Sequence, residues 1–165
     1  MKRLGILVVS DRASRGVYPD ASGPAIAEWA AGAGLTVEAL NVVPDEPEHI
    51  EVRLRTWADD FNLDLILTSG GTGFGPRDVT PEATLAVLER PTPGIPEHLR
   101  LATAARTPRA VLSRAVAGLR GRTLIVNLPG APQAARDWLA ILEPLLPHAF
   151  AMVEGHPHGD AVPHA

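Results

Sequence analysis

The chain has no cysteine among its 165 residues. Disulfides and thiolate metal sites are therefore excluded, and a reducing compartment suits it. It also lacks any apolar run long enough to span a bilayer. After Met1-Lys2-Arg3, only six apolar or glycine residues precede Ser10-Asp11-Arg12. That is too short for the apolar part of a signal peptide, so the segment reads as a buried first strand. The cytoplasm is the expected location, with no membrane contact. Positive charge is short as well: 15 Lys and Arg face 19 Asp and Glu, for a formal net charge of −4. No basic nucleic-acid footprint results, and no nucleic-acid partner is expected. Arg120 and Arg122 crowd together, flanking Gly121 in what reads as a turn.

What is present suits one folded domain with a sizeable core. The hydrophobic fraction is 45%, and the 16 prolines and 15 glycines are spread along the chain, where they punctuate elements without forming a linker. Leu4–Val9 is a continuous apolar run, as expected of a strand buried on both faces, and Leu63–Thr68 reads as another buried strand. Leu35–Val43 alternates well enough for another strand. Ile26, Trp29 and Ala30 mark a helix over Ser22–Ala33, stopped by Gly34. Ile50, Leu54 and Trp57 mark a second, over Glu46–Phe61. A helix opens at Thr80-Pro81-Glu82, with Thr80 as N-cap, Pro81 in the first turn and Leu85 and Leu88 facing the core. Gly94–Ala105 reads as a further helix, and Pro132–Val153 as the last. Val111–Leu119 and Thr123–Leu128 read as a hairpin around Arg120-Gly121. The alternation predicts an α/β fold in three layers: a mostly parallel sheet, helices on both faces, and an antiparallel edge hairpin. Ligands in such folds bind beyond the carboxyl ends of the strands. Ser10–Asp20, Thr68–Thr80 and Asn127–Pro132 should converge there, beside Val43-Pro44-Asp45.

The strongest local signal is Thr68-Ser-Gly-Gly-Thr-Gly-Phe-Gly-Pro-Arg-Asp-Val-Thr-Pro-Glu-Ala83. Glycines allow close approach of backbone to a ligand, successive N–H groups form an anion-binding nest, and the helix start favours negative charge. A nucleotide phosphate needs all three. The loop is neither a P-loop nor a dinucleotide fingerprint. By composition alone it also reads as a tight strand-to-helix turn. Asp78 reads as a helix cap or a metal ligand, and Asp45 as a turn former or a metal ligand. Mg²⁺ is typically held by one or two carboxylates together with substrate phosphates, so a meeting of the two would carry chemistry.

Five segments occur in order: Ser10-Asp-Arg-Ala-Ser-Arg-Gly-Val-Tyr-Pro-Asp20, Pro44-Asp45, the long glycine loop, Leu112-Ser-Arg114 and Asn127-Leu-Pro-Gly130. Together they resemble the MoaB/Mog family of molybdenum cofactor biosynthesis, whose fold is also that of the G domain of gephyrin-type proteins. The resemblance covers about residues 3 to 153. It implies residues 1–153 as the molybdopterin-binding domain, 154–165 as a flexible tail, and a homotrimer. It implies transfer of AMP from MgATP to the phosphate of molybdopterin, with release of pyrophosphate. Asp45 and Asp78 match the two aspartates that matter in the family, and are expected to be catalytic and to hold Mg²⁺. Gly70, Gly71, Thr72, Gly73, Pro129 and Gly130 are expected to bind the nucleotide. Ser10, Asp11, Arg12, Ser14, Ser113 and Arg114 are expected to bind the pterin or its phosphate, with arginine the natural partner of phosphate oxygens. Asp11-Arg12 also reads as an ion pair that only fixes its loop. Molybdopterin, ATP and other proteins of cofactor assembly are the expected partners. The second reading is a molybdopterin-binding paralogue of the same fold without catalysis.

The six histidines invite a metal reading that their spacing does not support. His156, His158 and His164 read as solvated tail residues, and His49 and His98 as surface residues. Trp29, Trp57 and Trp138 fall on apolar helix faces and read as core. Ser113 forms no nucleophile constellation with a histidine, which argues against an acyl-transfer hydrolase.

Overall fold

The computed structural model describes residues 1–155. Its first strand, β1 (Lys2–Val9), is the apolar run after the basic start. A single turn, α1 (Asp11–Ser14), follows, and then α2 (Ser22–Gly32). Next come β2 (Leu35–Val43), α3 (Pro47–Arg55), a π-helical turn (Thr56–Asp60) and β3 (Leu65–Ser69). The second half runs α4 (Thr80–Val87), β4 (Arg90–Pro91), α5 (Gly94–Ala104), a 3₁₀ turn (Pro108–Leu112), β5 (Ala117–Arg120), β6 (Thr123–Leu128), α6 (Pro132–Leu142) and α7 (Leu146–Val153). The six strands lie in the order β2-β1-β3-β6-β5-β4. The first four are mutually parallel; β5 pairs antiparallel with β6, and β4 with β5. The expected parallel neighbours and antiparallel edge are both present.

Period-two alternation along β1 sorts its side chains between two cores. Leu4, Ile6 and Val8 pack with Leu65, Leu67, Val126 and residues of α2, α5, α6 and α7. Leu7 and Val9 face the opposite side, with Ile66, Ile125 and residues of α3 and α4. This is the three-layer arrangement. Gly5 interrupts the run for a steric reason. A Cβ there would lie 2.6 Å from Trp57 Cε3 and 2.8 Å from Leu63 Cδ1. The ring of Trp57 lies on the strand, and the β1–β2 register shifts at Leu4/Gly5.

Several local expectations change. Leu85 is exposed at 49%, because α4 turns Ala83, Thr84 and Val87 toward the sheet. Thr80 is not the N-cap but the first residue of α4, and its hydroxyl donates to the Gly70 carbonyl at 2.9 Å. Val111 and Leu112 belong to the 3₁₀ turn, so the hairpin strand starts only at Ala117. The last helix is two helices, broken by a 3₁₀ turn at Glu143–Leu145. Pro144 and Pro147 lack the N–H that a continuous helix needs. Trp57 and Trp138 are core as expected, while Trp29 is half-buried and donates to Glu143 Oε2 at 2.7 Å. His49 and His98 are exposed. His156, His158, His164 and all of the expected tail beyond Gly155 lie outside the described residues. Among the described residues no helix is long and apolar enough to cross a membrane.

Asn127 on β6 is fully buried and ties the centre of the fold together. Its Nδ2 donates to Thr68 Oγ1 and to Thr84 Oγ1, both at 2.9 Å, and its Oδ1 accepts from the Val116 N–H at 3.1 Å. It therefore joins β3, β6, α4 and the segment entering β5. Asn127→Leu keeps the branched shape but strands the Val116 N–H and removes both threonine contacts. We predict a loss of about 2–4 kcal/mol in unfolding free energy, read by urea unfolding at fixed protein concentration.

Candidate active site

The chain leaves β1 to form β2 on one side, then crosses back to place β3 on the other. The carboxyl ends of β1 and β3 therefore diverge at a switch point, where open α/β sheets bind ligands. A cleft of about 210 Å³ lies there, lined by Ser10, Tyr18, Asp20, Ser69, Gly70 and Gly130 among others. The three stretches expected to converge do so. Hollows of about 750 Å³ beside Lys2, Gly34 and Phe150 and of about 580 Å³ beside Thr92, Leu119 and Met152 are larger. Both are mainly apolar and lie away from the glycine loop.

The glycine loop is shaped by close approaches. Gly70 has φ 103, and a Cβ there would lie 2.3 Å from the Val9 carbonyl oxygen. Its Cα lies 3.1 Å from where a Cβ on Gly130 would be, so the two loops touch through backbone. Gly73 and Gly75 serve a different purpose from ligand approach alone. A Cβ on either would lie within 2.9 Å of Asp78 Oδ2, so the loop wraps its own aspartate. That carboxylate accepts the Gly75 N–H at 2.8 Å.

The loop's carbonyls are taken up by protein donors. Gly70 O accepts the Thr80 hydroxyl, Gly71 O the Thr80 N–H at 3.1 Å, Thr72 O the Arg114 N–H at 2.8 Å, and Gly73 O the Arg114 Nε at 2.7 Å. Four successive N–H groups are not. Among the described residues, those of Gly71, Thr72, Gly73 and Phe74 donate to no protein acceptor. With carbonyls turned to protein and N–H groups unengaged, the segment has the polarity of an anion nest.

Asp45 stands beside it, its Oδ1 3.1 Å from where a Cβ on Gly71 would be. It makes a reciprocal pair with Asp11: the Asp11 N–H donates to Asp45 Oδ2 at 2.7 Å, and the Asp45 N–H to Asp11 Oδ1 at 3.0 Å. Burial pushes the Asp45 carboxyl above the usual carboxylate range, and the like charges of Asp11 and Asp78 add to the shift. Among the described residues neither Asp45 nor Asp78 forms an ion pair with Lys, Arg or His. No three His, Cys, Asp or Glu side chains among these residues are arranged to hold a metal unaided. Two oxygen donors under mutual repulsion nonetheless fit a hard divalent cation that completes its shell with phosphates and water.

The other expected residues divide. Ser10 Oγ accepts the Ala13 N–H at 3.2 Å as N-cap of α1, and Ser14 Oγ donates to the Asp11 carbonyl at 3.0 Å. Arg12 is exposed and does not pair with Asp11; its guanidinium lies 5.0 Å from the centre of the Tyr18 ring. Asp11 instead binds Arg77, through Nε at 3.0 Å and Nη2 at 3.1 Å, and this holds its carboxyl below the usual range. Arg114 is committed to protein: Nε to Gly73 O, Nη2 to Asp78 O at 2.7 Å, and Nη1 to Glu82. The Ser113 carbonyl accepts Arg100 Nη1 at 3.1 Å. Pro129 O accepts the Ser69 hydroxyl at 3.0 Å. Sequence reasoning left Arg77 without a role, although it sits next to Asp78. It also missed Asp20, whose carboxylate accepts the Ser22 and Gly23 N–H groups at the start of α2. An aspartate two residues before a Ser-Gly helix start was the available signal.

Residues 5–148 match the family model described as a probable molybdopterin binding domain. A molybdopterin adenylyltransferase of Helicobacter pylori strain J99 is 41% identical over 160 residues, covering 93% of this chain and 88% of that protein. Gephyrin of Dictyostelium discoideum is 41% identical over 164 residues, and this chain spans 23% of its length. The crystal structure of the molybdopterin biosynthesis enzyme MoaB of Thermus thermophilus superposes with a TM-score of 0.90 at 54% identity, over 95% of this chain and 99% of that one. The glycine loop with its wrapped aspartate, at the switch point of this sheet, is thus accompanied by similarity over nearly the whole described chain. The chain belongs to the molybdopterin-binding domain family of molybdenum cofactor biosynthesis.

Proposed function

We propose that this protein is a molybdopterin adenylyltransferase, using ATP to place AMP on the phosphate of molybdopterin. The observation that carries the reading is the pairing of unengaged backbone donors at Gly71–Phe74 with two carboxylates, Asp45 and Asp78, that form no ion pair among the described residues. The name of the Helicobacter pylori relative agrees with it. An oxygen of the molybdopterin phosphate attacks the α-phosphorus of ATP. The new P–O–P bond forms as the α–β bridge breaks, and pyrophosphate departs with the electron pair. No covalent enzyme intermediate is needed. The chain's contribution is positioning and charge stabilisation.

Gly71, Thr72 and Gly73 cradle the nucleotide phosphates through backbone donors; Gly70, whose N–H is given to the Leu128 carbonyl, lets the loop approach, with Pro129 and Gly130 closing the opposite wall. Asp45 and Asp78 would hold Mg²⁺, which supplies neutralisation of the triphosphate charge. Arg12, exposed and without a carboxylate partner among the described residues, is the better candidate for the pterin phosphate. The commitments of Arg114 make it a brace for the glycine loop. Ser10, Asp11, Ser14 and Ser113 lie within the loops that would frame the pterin. The cytoplasm is the compartment this reading assigns.

Incubation with molybdopterin, ATP and Mg²⁺ should yield adenylylated molybdopterin and pyrophosphate. Pterin binding without transfer would instead support the non-catalytic paralogue. Asp78→Asn and Asp45→Asn keep shape and remove charge. Each should lower the transfer rate on the order of 10²-fold, with circular dichroism and pterin binding near wild type; unchanged rates at saturating Mg²⁺ would make both aspartates turn residues. By family resemblance we further expect a homotrimer, and sedimentation showing only monomer across micromolar concentrations would count against it.

A further inference from the structure

Three loops leave neighbouring strands near the site, and one side chain joins them. Arg77, on the glycine loop, takes the Asp11 carboxylate through Nε and Nη2. Asp11 follows β1. The same guanidinium donates from Nη2 to Glu46 Oε1 at 2.6 Å, and Glu46 follows β2. Asp11 then engages Asp45 by the reciprocal backbone bonds described above. Arg77 is also the immediate neighbour of Asp78 along the chain.

We infer that Arg77 is a positioning residue, a clamp that acts through Asp11 to hold Asp45 and through the backbone to hold Asp78 in register for a divalent cation and the triphosphate. The inference rests on the adenylyltransfer reading above and assigns it a residue. Two physical arguments support it. Asp11 and Asp78 each lie close enough to repel Asp45, and Arg77, with a longer contact from Arg15, offsets Asp11, the member whose backbone bonds fix Asp45. The planar fork of arginine can also hold one carboxylate with two donors while reaching a second, a geometry lysine lacks. The side chain of Arg77 is 55% exposed, so the clamp adds little to global stability. Its effect should fall on the arrangement of the rim loops, and with them the carboxylates, in advance of ligand.

The test compares wild type with Arg77→Gln, Arg77→Lys, Asp11→Asn and the double variant Arg77→Gln/Asp11→Asn. Arg77→Gln should melt within about 2 °C of wild type. Its kcat for AMP transfer should fall roughly 10- to 100-fold, while KM for molybdopterin stays within about twofold. Mn²⁺ titration with α,β-methylene-ATP, followed by electron paramagnetic resonance, should show weaker Mn²⁺ binding to Arg77→Gln independently of turnover. Arg77→Lys should be intermediate. The double variant, freed of the Asp11 charge, should lose less than the sum of the single losses. Wild-type kcat and Mn²⁺ affinity in Arg77→Gln would overturn the inference. So would a melting temperature lowered by more than about 5 °C, which would make Arg77 a structural brace. A raised KM for ATP alone, with additive losses in the double variant, would also overturn it by making Arg77 a phosphate contact. A wild-type protein that transfers no AMP would overturn the underlying reading, while the Mn²⁺ comparison would still judge the clamp.

Discussion

Parallel pairing of β1 with β2 on one side and β3 on the other is the constraint on which the site depends. A central parallel strand is covered on both faces, so its ends are the only places where polar groups can gather without crossing a core. Because β1 pairs both ways, the chain beyond Val9 faces the exits of β2 and β3 together. Asp11 meets Asp45 on one flank, and Gly70 packs against Val9 on the other. A Cβ at Gly70 would push the glycine loop off the end of β1.

That arrangement concentrates negative charge and backbone donors in a small volume, and the two have opposite requirements. Asp11 and Asp78 each repel Asp45, while the N–H groups of Gly71–Phe74 favour an anion. The protein meets these tendencies with specific partners. Arg77 pairs with Asp11, and Arg114 with Thr80 takes up the loop carbonyls. Among the described residues the N–H groups of Gly71–Phe74 are left without a protein acceptor, and Asp45 and Asp78 without an ion pair. This polarity suits a triphosphate bridged to carboxylates by a divalent ion. It is set before ligand arrives, which is the condition for electrostatic preorganisation.

The fold was legible in the sequence to the extent that burial is periodic. The continuous apolar run Leu4–Val9 and the mainly apolar Leu63–Thr68 announced strands covered on both faces, and their parallel pairing follows. Boundaries were less legible where neighbours override local preference. Thr80 has the chemistry of an N-cap, yet lies inside α4 because its hydroxyl is used by Gly70 across the loop. Leu85 has helical spacing but faces solvent, since Val87 and Ala83 already fill the surface over Ile66 and Ile125. Pro144 and Pro147 were visible breaks within a segment whose apolar spacing suggested a single helix.

The candidate site was legible as a set of loops and unreadable as a set of pairs. The glycine loop, Asp45 and Asp78 stand out locally because glycine, proline and aspartate carry their conformational meaning within a few residues. Ion pairs carry theirs across the fold. Asp11 could have paired with adjacent Arg12, but joins Arg77, 66 residues away in sequence. Arg114 could have met a phosphate, but is occupied by Gly73, Asp78 and Glu82. By itself the sequence determined the layered α/β architecture and the end of the sheet at which polar loops would gather, because these follow from local periodicity and turn chemistry. Tertiary structure alone decided which charges are paired and which are left without an ion-pair partner. A guanidinium's partner is set by the three-dimensional approach of loops, which no spacing along the chain encodes.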